Sequence, residues 1–543
     1  MNYSKLILSG SYKETGRQTK GMLSAAGSDG FRFDKFYLKV DELKSKKSVG
    51  KILIVCRQDF SAGVFGGLEE IRGCLKSLAD SGKELYFYAP SYGAPQLFLA
   101  SVCPHRLIHP MGSLRFSGLS WSFSFLKRLM RRYGIDAEII RRGRYKSAGD
   151  RFRSDNLDDN IKAQYERYIG SVMSVLKAAV INGFGRTESE LDNLLNGKIL
   201  DAQEAVSSTW LERVITDGDL ENEWKTAKDK EVKIRKISNK TRRGFSLVNK
   251  RIAVLVFEGT IIDGHSRRDP LLGQAIGSDS FIPQIRKLKE DRKVKAVVLR
   301  INSGGGSAFA AESITAELRA LAEKKPLIIS MAEIAGSGGY WMSCCGQKTF
   351  ALPTTLTGSI GVISIYISWY KLLERLGITH DTIRIGEHAD AGSPLRELTA
   401  EERDIFDEEI GRMYEKFISM VSDFRKISKD EVDSLAQGRI WAGTDAVGNK
   451  LVDESGGLSE AINAAAEASG LKKPVVKFYP EIQHGLVERL MMNASKEDDT
   501  AAQLLQKGEA LNMLLSGGPG VFSKAEWMSS PAAVMDEVVC KWI

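Results

Sequence analysis

Two glycine-rich turns in this 543-residue chain hold the residue types best placed to do chemistry. The first is Asn302-Ser303-Gly304-Gly305-Gly306-Ser307, directly after the run VVLRI and directly before a helical pattern. A strand, a run of glycines and a helix start leave backbone N–H groups free at a helix N-terminus, where they suit an anion. No G-K-[ST] follows, which excludes a Walker-type phosphate loop. Half of an oxyanion hole is the other use of such amides, and a tight turn without chemistry is the plainer reading. The second turn is Ala335-Gly336-Ser337-Gly338-Gly339-Tyr340, after the run PLIIS. A serine among glycines at a strand-to-helix turn exposes its hydroxyl and leaves a neighbouring N–H free; with Ala at 335, this is not a G-x-S-x-G elbow.

Ser337 needs a base. The six histidines, His105, His109, His265, His380, His388 and His484, stand in no recognisable motif and read as surface or packing residues. A lysine serves instead where burial holds it neutral. An internal repeat nominates one. Residues 51–71 lie over 294–314 at an offset of 243, placing Arg57 on Arg300, Gly63 on Gly306 and Ile71 on Ile314. Residues 131–150 lie over 374–393 at the same offset, and NGKILDAQEAVSSTWLERV parallels QGRIWAGTDAVGNKLVDES at a nearby one. Lys146 then aligns with Ala389, and, after a slip of one residue in the offset, Ser337 with Pro95. Each copy keeps one candidate group and lacks the other. A tandem duplication whose two sites degenerated into one accounts for this, with the lysine from the first copy meeting the serine of the second. The plainer reading makes Lys146 one more lysine in a basic stretch.

The elements that must position these groups alternate. Ile252 to Phe257, Ala296 to Ile301 and Leu327 to Met331 are short β-branched runs that predict buried strands, while residues 311–324 and 367–376 carry helical spacing. Such alternation predicts α/β domains with a mainly parallel sheet. The expected organisation is an N-terminal segment (1–34), a first repeat supplying Lys146 (35–224), a basic linker (225–251), a second repeat supplying Ser337 (252–474) and a C-terminal extension (475–543).

With 43% hydrophobic and 27% charged residues, the chain is an ordinary globular protein rather than a disordered, collagenous or coiled-coil one. The six cysteines show no metal or disulfide spacing and favour a reducing compartment. Eleven Lys/Arg against Asp229 and Glu231 concentrate the positive charge in 225–251, so no basic face for nucleic acid runs through the fold. That segment reads as a solvated linker or as a patch for an anionic membrane surface. No secretory signal is visible, and the longest uncharged stretch, 349–370, carries Pro353, Gly358 and Gly361, reading as strand and turn rather than a membrane span.

LRINSGGGSAFAAESI, MAEIAGSGGYWMS, LTGSIGV and RRGRYKSAGDRF together resemble the signal peptide peptidase A (protease IV) family in its long two-repeat form, over about residues 35–470. The resemblance implies a β-β-α superhelix similar to crotonases and the Clp peptidase, and a Ser/Lys dyad with no metal, nucleotide or other cofactor. It implies Ser337 as nucleophile, Lys146 as general base, Ser359 as the serine that positions the lysine, and Gly338 with Gly305 and Gly306 as oxyanion-hole glycines. It further implies cleavage of signal peptides and other short apolar peptides inside a homotetrameric bowl. Gly304 stands where the family has proline, which loosens the turn. The family also implies an inner-membrane location, whereas no anchor is visible here, so a cytoplasmic or peripheral membrane location is the expectation. Two rivals remain: a crotonase-type enzyme acting on acyl-CoA, and an inactive scaffold.

Overall fold

The computed structural model describes residues 2–16, 30–63, 65–226, 250–269 and 273–480. Two mainly parallel sheets organise them. The first has five strands in the order Asn2–Leu8, Val49–Cys56, Glu84–Ala89, His105–Ile108, Arg213–Val214, with every neighbour parallel. The second has eight, running Ile440–Ala442, Leu356–Gly358, Leu327–Gly336, Val294–Ser303, Arg251–Glu258, Val475–Tyr479, with Lys348–Ala351 and Glu454–Ser455 attached beside Leu327–Gly336. Its one antiparallel pair joins Leu356–Gly358 to Ile440–Ala442.

The all-apolar run of Arg251–Glu258 follows from its place between two layers. Ile252, Val254 and Val256 point into a core shared with the first sheet and its helices, while Ala253, Leu255 and Phe257 point into a second core built by residues 253–479. Side chains alternate with period two along a strand, so a strand covered on both faces has no position left for polar residues. The shared core makes the two halves one packed body. A buried ion cluster reinforces the seam: Arg300, with no exposed side-chain surface, meets Glu70 at 2.7 Å and Glu14 at 2.9 Å and donates to Ser330 Oγ. A guanidinium so deeply buried is tolerated only with this complete a set of partners. Its alignment partner Arg57 lies exposed.

The sheets run past the expected repeat boundaries. Asn2–Leu8 is the edge strand of the first sheet, with Leu6 and Leu8 buried, although it falls in the segment set apart as 1–34. Val475–Tyr479 likewise pairs with Arg251–Glu258 from within the segment set apart as 475–543. Both strands complete backbone ladders, a place set by pairing partners far along the chain rather than by local pattern. The helix expected over 367–376 is shorter, since Ile367 and Ser368 end the strand Val362–Ser368 and the helix is Tyr370–Arg375. The strand expected at Leu327 to Met331 continues to Gly336, which delivers Ser337 to the end of the sheet. Residues 349–369 are strands and turns, and among the described residues no helix is long and apolar enough to cross a membrane. Nearly all of the basic segment and residues 481–543 lie outside the described residues.

Candidate active site

Ser337 sits where Leu327–Gly336 gives way to the short helix Gly338–Ser343. Its backbone is in a left-handed region (φ +53°, ψ −118°), unusual for a residue with a Cβ, and its N–H donates to the Gly358 carbonyl at 2.9 Å. Ser359, after Gly358 at φ +79°, also has a positive φ of +50°. Strain at two facing serines is tolerated because the sheet fixes both turns.

Lys146 reaches this pair from the other half of the chain. Its Nζ lies 2.9 Å from Ser337 Oγ and donates to the Ser359 carbonyl at 2.8 Å and to Ser359 Oγ at 3.0 Å. The residue is 5% exposed. No carboxylate forms an ion pair with it among the described residues, and burial lowers the ammonium from its ordinary 10.5 to about 7. A neutral amine has two N–H donors and one lone pair, which matches two acceptors at Ser359 and one hydroxyl at Ser337.

Three loops hold the lysine. Arg141 donates to the Lys146 carbonyl at 2.7 Å and to Asp150 at 2.9 Å, fixing the turn from both sides. Tyr145 N–H donates to the Gln437 carbonyl, Gly438 N–H to Ile360, and Ser359 N–H to Arg439. Gly438 (φ +76°) lies so close that a Cβ on it would stand 2.5 Å from the Lys146 backbone nitrogen. Sequence reasoning missed this 437–439 loop, because nothing local in QGRIW says what it packs against.

The two glycine turns stack. A Cβ on Gly305 (φ +109°) would meet Ser337 Cβ at 2.7 Å and the Gly338 nitrogen at 2.8 Å. Gly305 N–H itself donates to Ser303 Oγ at 3.2 Å, which departs from the expectation of Gly305 as an amide donor. Among the described residues the N–H groups of Gly306 and Gly338 have no hydrogen-bond partner. The close approach of the two turns requires a residue without a side chain at 305. Gly305→Ala is expected to lower kcat/KM by about 10²-fold or more while the protein stays folded, read by peptide hydrolysis beside circular dichroism.

A cavity of about 750 Å³ opens over Ser337 and Lys146, with Trp121, Phe123, Tyr165, Ile363 and Phe417 among its walls. None of the five described histidines lines it. His105 is held between Glu84 and Glu212, and His388 faces Glu401 and Glu402. In the first half, the residue capping the corresponding helix Ala94–Ala100 is Gly93, two residues before the Pro95 of the sequence alignment. Neither bears a nucleophile.

The profile of peptidase family S49 matches residues 77–232 and 319–472, one stretch in each half. The chain belongs to peptidase family S49. This S49 peptidase is 30% identical over 470 residues to "Protease 4" of Haemophilus influenzae, covering 82% of this chain and 75% of that one. It is 30% identical over 462 residues to "Serine protease SPPA, chloroplastic" of Arabidopsis thaliana, covering 79% and 68%. A "Putative signal peptide peptidase SppA" of Enterococcus faecium is 32% identical over 251 residues, covering 46% of this chain and 72% of its own. Among solved structures, a ClpP1 mutant of Listeria monocytogenes aligns with 39% of this chain and 94% of its own at 16% identity, with a TM-score of 0.26.

Proposed function

We propose that this S49 peptidase is a serine endopeptidase in which Ser337 is the nucleophile and Lys146 the general base, acting on signal peptides and other short apolar peptides. The observation that carries the reading is a buried lysine without an acidic partner, 2.9 Å from a serine hydroxyl at a strained turn. Neutral Lys146 takes the Ser337 proton as Oγ bonds to the peptide carbonyl carbon. The resulting ammonium protonates the departing amine, leaving an acyl-enzyme. Lys146, neutral again, takes a proton from water, which attacks the ester, and returns that proton to Ser337. The Gly306 and Gly338 N–H groups face the developing oxyanion, a role worth on the order of 10²–10³ in rate per donor. The aromatic and aliphatic walls favour an extended apolar peptide.

Ser359 positions the lysine. Ser359→Ala is expected to cost about tenfold in kcat/KM, since the carbonyl of residue 359 remains as one acceptor, and to move the pH midpoint of kcat/KM. A structural role alone would lower the amount of folded enzyme and leave that midpoint in place.

The reading extends to a homotetramer enclosing the sites and to a peripheral hold on an anionic membrane through 225–251. Unchanged binding to anionic vesicles after neutralising those lysines removes the second element. The test of the function is hydrolysis of an apolar fluorogenic peptide that Ser337→Ala abolishes. A crotonase-type acyl-CoA enzyme needs no nucleophilic serine, so covalent labelling of Ser337 by a serine-directed probe speaks against that rival, and an inactive scaffold would turn over no peptide.

A further inference from the structure

Residues 437–439 touch both sides of the dyad at once. The Gln437 carbonyl accepts from Tyr145, the neighbour of Lys146, at 2.8 Å. Gly438 donates to the Ile360 carbonyl at 2.7 Å, and the Arg439 carbonyl accepts from Ser359 at 2.7 Å. Neither side has slack: a Cβ on Gly143 would stand 2.5 Å from the Gln437 carbonyl carbon, and one on Gly361 2.9 Å from Gly438 Cα. A shift of this loop is therefore passed on to Lys146 and to its acceptor Ser359. Gln164, buried on helix Asp159–Phe184, closes the arrangement from the first half. Its Nε2 donates to the Tyr145 carbonyl at 3.4 Å, and its Oε1 accepts from Ile440 N–H at 3.3 Å.

The support of the loop lies behind it, away from the cavity. Tyr414, buried on helix Ala400–Arg425, accepts Gln437 N–H at 3.3 Å and donates to Asp433 Oδ1. The same oxygen accepts Gln437 Nε2 at 2.6 Å. Asp433 belongs to helix Lys429–Leu435, which ends just before the loop. These bonds hold Gln437 at φ +54°, a left-handed conformation that a residue with a Cβ rarely adopts. None of Tyr414, Asp433 and Gln437 lines the cavity.

The first copy makes the same turn with no lysine to hold. Asn196-Gly197-Lys198 lies under Gln437-Gly438-Arg439 at an offset of 241, as Asp192 lies under Asp433 and Met173 under Tyr414. Methionine has no hydroxyl, and Asp192 pairs with Lys177 at 2.6 Å instead. Asn196 is relaxed at φ −82°, and a Cβ on Gly197 would meet nothing within 4 Å among the described residues. The turn thus forms without a tyrosine–aspartate support, and the copy that packs against Lys146 has one.

We propose that Tyr414 and Asp433 are positioning residues for the dyad: through Gln437 they set the loop that keeps Lys146 Nζ on Ser337 Oγ. The proposal rests on the Ser/Lys reading and names what holds its geometry. Because both bonds go to one oxygen, Asp433 acts as a hydrogen-bond acceptor rather than as a negative charge.

The test compares Tyr414→Phe, Asp433→Ala and Asp433→Asn with the native chain in hydrolysis of the apolar fluorogenic peptide across pH. Tyr414→Phe and Asp433→Ala are each expected to lower kcat about ten- to a hundredfold, the scale of a misplacement of about 1 Å. KM is expected to stay, since neither residue lines the cavity. With the loop loosened, water reaches Lys146, and the midpoint of kcat/KM is expected to rise above the native value near 7. Burial and Asp433 keep the proton on the Tyr414 hydroxyl, so that midpoint is not its titration. Asp433→Asn keeps an oxygen for both donors and is expected to recover most of what Asp433→Ala loses. Native kcat and midpoint in Tyr414→Phe overturn the proposal, even where its unfolding temperature falls, and so does asparagine no better than alanine at 433. Hydrolysis at the native rate by Lys146→Met overturns the dyad itself, an outcome read separately from these.

Discussion

Ser337→Ala is expected to lower kcat/KM for an apolar fluorogenic peptide by roughly 10⁴-fold or more while leaving the fold in place. The size follows from what remains. Without Oγ no acyl-enzyme forms, and only the amides and the apolar walls act on the peptide. The variant is expected to fold because, among the described residues, Ser337 Oγ has one partner, Lys146, and the strained backbone is fixed by the Gly358 carbonyl and the following helix. Alanine at a positive φ carries the same strain as serine. The measurement is steady-state hydrolysis beside thermal unfolding. Hydrolysis at the native rate would show that another group attacks the peptide.

Lys146→Met is expected to cost on the order of 10²–10⁴ in kcat/KM, the usual range for a general base. Its pH dependence is more specific. Burial brings Lys146 down to about 7, so in the native enzyme the neutral base forms as pH rises through that value. The native kcat/KM is expected to climb with a midpoint near 7 and then level, a rise absent from the variant. Stability should also rise with pH, over a higher window. Between about 7 and the ordinary lysine value of 10.5, the unfolded chain holds a proton that the folded chain has lost, so native stability increases with pH across that window. Methionine removes this penalty. The variant is expected to exceed the native protein in stability most at and below pH 7, with the gap closing toward 10.5, read from denaturant midpoints across pH. An inactive but more stable variant separates loss of chemistry from loss of fold.

Much of the architecture is legible in the sequence where burial is complete. Ile252 to Phe257 and Ala296 to Ile301 read as strands because a strand covered on both faces leaves no room for polar residues. Ser337 and Lys146 emerge as a pair because the repeat leaves one group in each copy, and the structure brings those two side chains within hydrogen-bonding distance. What escaped depends on partners far along the chain. Gly438 looks like any turn glycine until the Lys146 loop is seen against it. Asn2–Leu8 carries only a short apolar run, and its place as an edge strand comes from pairing with Val49–Cys56. Gly305 stands in the right turn, but its N–H is spent on Ser303, a choice of rotamer and loop geometry that no spacing encodes. Arg57 and Arg300 share an alignment column and have opposite surroundings, because Glu14 and Glu70 gather around only one of them.

The central claim is that a neutral, buried Lys146 deprotonates Ser337. The most direct measurement is the rate at which a serine-directed covalent probe labels Ser337, followed across pH in the native enzyme and in Lys146→Met, with the modified residue identified by mass spectrometry. The account predicts labelling at Ser337 alone, with a native rate that rises through a midpoint near pH 7, and much slower labelling in the variant without that midpoint. Equal rates and equal midpoints in the two proteins would contradict it, because the proton would then leave Ser337 for some other base.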